Sequence, residues 1–146
     1  MMLKDLPGRL AVQNRTFEAG LIDILGTLRT VWRAAGDHVT ADVLDGILAD
    51  EITHVRFANR WIRKMTEEDP RVLLQVATAV HFLGRTNAAV AVQEGEVNAA
   101  GQTLSAGAPP AVNVEDRLEA EFTEEEVLEV LRQAGFRSIL PHSLRG

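Results

Sequence analysis

The sequence predicts an all-α fold built on a long antiparallel helix hairpin. Two stretches, about residues 8–35 and 38–65, repeat apolar side chains at helical spacing. Gly36-Asp37 separates them with a helix stop followed at once by a helix start. No strand-type alternation of any length occurs, and no internal repeat is evident.

The first helix is expected from about residue 8 to Ala35. Its apolar line is Ala11, Leu21, Ile22, Leu25, Leu28 and Trp32, with Glu18 as a carboxylate inside it. Gly36 accepts the left-handed conformation that closes a helix, and Asp37 is placed to cap the next. So short a connection forces the helices antiparallel. The second helix is expected from about His38 to Met65. Its line is Leu44, Ile47, Glu51, His54, Ala58, Trp61 or Ile62, and Met65. Trp32 and Trp61 are expected to pack in the core. Arg60, Arg63 and Lys64 fall in the last turns, where cations favour the carbonyl end.

A third helix is expected to open at Asp69-Pro70 and run to about Val97, with Leu73, Val76, Ala77, Val80, Leu83 and Gly84 on its packed face. Residues 101–122 read as loop, because Gly101, Gly107, Pro109 and Pro110 break regular structure. Thr123-x-x-Glu126 is a capping box that opens a short helix, about 124–134, ended by Gly135. The tail from Phe136 reads as irregular. The whole of 1–146 is expected to form one helical domain.

Composition narrows the function classes. The chain has 146 residues, 46% hydrophobic and 25% charged, enough for one globular core. It has no cysteine, which excludes disulfides, thiolate zinc sites, iron–sulfur clusters and a cysteine nucleophile. The net charge of −6 argues against a nucleic-acid binder. No apolar run of signal-peptide or membrane-spanning length is present, so a cytoplasmic protein without membrane contact is expected. Eight acids fall in residues 115–129 against Arg117 alone, and Arg56, Arg60, Arg63 and Lys64 form a basic group. Both are expected to be solvated faces.

The candidate site is Glu51-x-x-His54 together with Glu18. Residues three apart on a helix share a face. Glu18 lies eighteen residues before Gly36 and His54 eighteen after it. With a rise of about 1.5 Å per residue in both arms, Glu18, Glu51 and His54 should stand at similar heights, about 22–27 Å above the turn. An unpartnered carboxylate on an apolar stripe is costly, and a cation is one remedy. The other is a closed polar network in which His54 bonds Glu18, and on pattern alone the two stand level. His81, His38 and His142 are expected to be bystanders. Asp50 points about 100° away from Glu51 around the helix, a second-layer position.

Glu18-Ala19-Gly20-Leu21-Ile22-Asp23, Ala35-Gly36-Asp37 and Asp50-Glu51-Ile52-Thr53-His54-Val55-x-x-x-Asn59-x-Trp61 resemble the C-terminal half of a bacterial ferritin-like family of unknown function. Pro110-x-x-Asn113-x-Glu115-x-Arg117-x-x-Ala120-x-Phe122-Thr123-x-Glu125-Glu126 resembles its end. The likeness covers most of residues 11–65 and 109–131. It implies a ferritin-like four-helix bundle with a carboxylate-bridged di-metal centre, usually iron, with manganese as the alternative. Glu18, Glu51 and His54 would be its ligands, Glu51 bridging the metals. An oxidase or oxygen-reactive role would follow, with no substrate identified.

Such a centre takes a Glu from each of two helices and a Glu-x-x-His from each of the other two. No further Glu-x-x-His follows residue 65. The expectation is therefore a homodimer in which each copy supplies half the centre. A companion in another polypeptide and a metal-free helical interaction module are the alternatives.

Overall fold

The computed structural model of the chain describes residues 5–97 and 111–134. Among them every regular element is helical. The order is α1 (Leu6–Val12), a π-helical segment (Gln13–Glu18), α2 (Ala19–Ala34), α3 (His38–Glu68), α4 (Val72–Val97), α5 (Val114–Glu119) and α6 (Glu124–Gln133). No helix among the described residues is long and apolar enough to cross a membrane.

Asp5 starts the chain's first helix, its carboxylate accepting the Gly8 N–H at 2.7 Å, with Pro7 in the first turn. The rod then widens. The Ala19 N–H reaches back to the Asn14 carbonyl, five residues away, and the Thr16 hydroxyl donates to the Ala11 carbonyl at 3.0 Å. A π turn inserts one residue and delays the helical phase by about 100°. That delay corrects the expected stripe. Ala11 now lines up with the buried Ala19, Ile22, Asp23 and Gly26, while Leu21, Leu28 and Trp32 turn outward and are 40%, 39% and 42% exposed.

Gly36 closes α2 at φ 86°, as its position demands. Asp37 caps α3 by accepting the Thr40 N–H at 2.9 Å. α3 runs back along α2 as the second arm of the hairpin and continues past Met65 to Glu68. Its buried line is Ala41, Leu48, Ile52, Val55, Ala58, Asn59 and Ile62. Ile47 and Trp61, expected inside, are 43% and 41% exposed. Trp61 instead tilts against Phe57 and lies beneath the Lys64 ammonium, 5.2 Å from the ring centre.

α4 packs against α1. Its buried residues are Val72 and Ala79, the latter against Gly8, and Leu73, Ala77, Val80 and Gly84 are exposed rather than packed. The expected loop over 101–122 contains α5, whose start is capped by Asn113 accepting the Asp116 N–H at 3.3 Å. The expected loop residues 101–110 and the tail from Gly135 lie outside the described residues. At α6 both halves of the Thr123–Glu126 capping box are present.

The main core lies between one face of the hairpin and the α5–α6 unit. Ala19, Ile22 and Leu25 meet Leu48, Ile52 and Val55 beneath Ala120, Phe122, Val127 and Leu131. Polar bonds fasten this unit down. Arg117 donates to Asp23 at 3.0 and 2.7 Å and to the Ala19 carbonyl at 3.2 Å, and Asn59 donates to the Ala120 carbonyl at 2.8 Å. The acidic and basic groups meet here instead of simply facing water. Arg56 pairs with Glu119 at 3.1 Å, and Arg60 and Arg63 both reach Glu121 at 2.5 Å. Glu121 sits at φ 65°, an uncommon conformation for a residue with a side chain. The Arg60 bond, with Arg63 behind it, holds its carboxyl below the ordinary range.

Candidate metal centre

Two arms of the hairpin deliver the site. Glu18 closes the π segment, and Glu51 and His54 lie one turn apart on α3. The structure brings all three together: one ligand atom from each lies within 4.8 Å of the others. The His54 Nδ1 to Glu51 Oε2 distance is 3.6 Å, too long for a hydrogen bond. Glu51 Oε2 is buried and has no hydrogen-bond partner. A buried carboxylate oxygen without a donor costs about 1–3 kcal/mol or more, which is the imbalance that a cation relieves. Donors about 2.1 Å from one ion stand up to about 4.2 Å apart, so the cluster needs only a small inward movement to close on a metal.

Burial differs from the expectation at one ligand. The Glu51 side chain is 17% exposed, but that of His54 is 58% exposed. His54 was expected inside because its stripe is apolar. That stripe lies on the open side of the hairpin, away from α5 and α6. Ile47, His54 and Trp61 recur every seven residues along it, and Leu21, Leu28 and Trp32 expose the matching face of α2. In a single chain nothing among the described residues covers it.

Asn14 belongs to the site and sequence reasoning missed it. Its Nδ2 donates to Glu18 Oε2 at 2.6 Å. The i, i+4 spacing of an amide and a carboxylate was the available signal. The remaining candidates stay apart: Asp50 is exposed, as are His38 at the start of α3 and His81 within α4. Asp23, beside Ile22 in the first motif, pairs with Arg117 in the core.

The fold and this cluster define an all-α hairpin protein with a convergent Glu–Glu–His group. Its sequence matches the model of a family described as protein of unknown function, DUF455, over residues 2–128, and the chain belongs to that family. No curated protein and no solved structure matches it.

Proposed function

We propose that the chain is half of a ferritin-like metal-binding bundle, and that two copies share one carboxylate-bridged di-metal centre. The observation that carries this reading is the buried, unpartnered Oε2 of Glu51 beside Glu18 and His54. Two copies would supply four carboxylates and two imidazoles, the donor set such bundles use. Four carboxylate charges balance two divalent cations. Oxygen and imidazole donors without thiolate suit iron, with manganese as the alternative.

In this arrangement Glu51 would be the ligand shared by both metals, and Glu18 and His54 would each hold one of them. Bound iron supplies one-electron redox chemistry, which makes an oxidase-type or oxygen-reactive role the fitting activity. The chain's own contribution is to hold the donors at one depth and to exclude water behind Glu51. The open apolar face supports a second copy. It exposes Ile47, Trp61, Leu21 and Leu28 around His54, and a partner hairpin would bury them and His54 together.

The same face supports a second reading, a metal-free interaction module whose polar trio fixes register with a partner. Elemental analysis of the purified protein separates the two. The metal reading requires about one metal per chain, lost in both Glu51→Ala and His54→Ala. No stoichiometric metal in the wild type leaves the module.

A further inference from the structure

Glu18 does not stand free in its cluster. Among the described residues its one hydrogen bond comes from Asn14, whose Nδ2 donates to Oε2 at 2.6 Å. Both residues lie in the π-helical segment, Gln13–Glu18. An α-helix turns about 100° per residue, so residues four apart are offset by about 40°. The wider π turn rotates less per residue and still keeps them on one side of the rod. The segment therefore sets the Asn14 amide against one particular oxygen of Glu18. It also marks where the rod departs from regular geometry, and such departures concentrate at functional sites.

We infer that Asn14 is the positioning residue of the metal site: it holds Oε2 of Glu18 and leaves Oε1 to act as a one-oxygen ligand. This rests on the metal reading above and specifies how that site is built. The reasoning follows from the donor inventory. A carboxylate with both oxygens free can chelate one ion, shift between modes, or swing away. An amide N–H on one oxygen occupies one of its lone pairs, which disfavours the first choice and restricts the rotation that permits the others. Asn carries no charge, so it orients Glu18 without competing for the cation or changing the charge at the site. The resulting preference is for ions that accept single carboxylate oxygens, not for calcium, which commonly takes two from one carboxylate.

The test uses Co(II) alone as the probe, titrated into the metal-free full chain and followed by its visible absorption. Asn14→Ala is expected to bind about 10–100-fold more weakly than wild type and to show an altered Co(II) spectrum. Asn14→Gln keeps an amide donor and is expected to recover most of the affinity. Asn14→Leu matches Asn in size without a donor and should bind as weakly as Asn14→Ala, so it decides the matter if the alanine variant fails to fold. Circular dichroism checks that helicity is unchanged. Wild-type binding with Asn14→Ala and Asn14→Leu matching it in affinity and spectrum overturns the role of Asn14 alone. A wild type that binds no Co(II) overturns the metal reading, and this inference with it.

Discussion

Asp23 and Arg117, 94 residues apart in sequence, close a buried ion pair in which both side chains are 8% exposed. Asp23 also accepts the Asn113 N–H at 2.8 Å, and Arg117 stacks over Phe122 with its guanidinium 5.4 Å from the ring centre. One carboxylate thus holds the start of α5 and its central arginine against the hairpin.

Removing either partner leaves an uncompensated buried charge. Asp23→Ala and Arg117→Ala are each expected to lower stability by about 3–5 kcal/mol. The double variant should lose less than the sum, because the two changes share one interaction. Urea denaturation measures all three. Single losses below about 1 kcal/mol would mean that the pair behaves as a surface salt bridge.

Two glycines should respond oppositely to alanine. A Cβ on Gly26 would stand 2.5 Å from Asn113 Nδ2, while one on Gly46 meets nothing within 4 Å. Gly26→Ala pushes on the residue that caps α5 and should cost about 1–3 kcal/mol. Gly46 lies within α3, where alanine removes unfolded-state freedom, so Gly46→Ala should stabilise by about 0.5–1 kcal/mol. Thermal denaturation of the two variants checks the contrast in sign.

Acid should loosen the α6 end of the molecule. Burial raises the Glu126 carboxyl, but the Thr123 N–H and the Arg15 charge outweigh it and hold it below its ordinary 4.5. A group depressed in the folded state stabilises above its unfolded value and loses that contribution as pH falls through the folded one. Stability should therefore decline below about pH 4.5, and the decline should be shallower in Glu126→Gln. Equal acid sensitivity of variant and wild type, measured by urea midpoint against pH, contradicts this.

The open face can be tested by charge. Wild type should sediment at twice the 16.0 kDa chain mass at micromolar concentration. Ile47→Asp places a carboxylate in the row that contains His54 and should return the single-chain mass with helicity intact. A wild type that stays at the single-chain mass removes the shared centre.

The hairpin was legible in the sequence because its signals are local. Gly36 and Asp37 mark the turn, and equal spacing from it set Glu18 level with His54. The phase of α2 was not legible, because a π turn carries no composition signature and shifts every later residue by about 100°. Ala11 reads as in line with Leu21, Leu28 and Trp32 for that reason, although it lies on the side of Ala19 and Ile22. Asp23–Arg117 escaped because a buried charge pair reads locally as two surface residues. α5 was hidden in a stretch judged by its neighbouring prolines and glycines. The apolarity of its row places His54 inside, whereas among the described residues of one chain nothing covers that row.

The most direct measurement is anomalous diffraction at the iron edge from crystals of protein grown with iron. The account requires anomalous density bounded by Glu18, Glu51 and His54, with the same three residues of a two-fold-related copy on its far side. Density at a different locus, or an ordered Glu–Glu–His cluster with no anomalous signal, would contradict it.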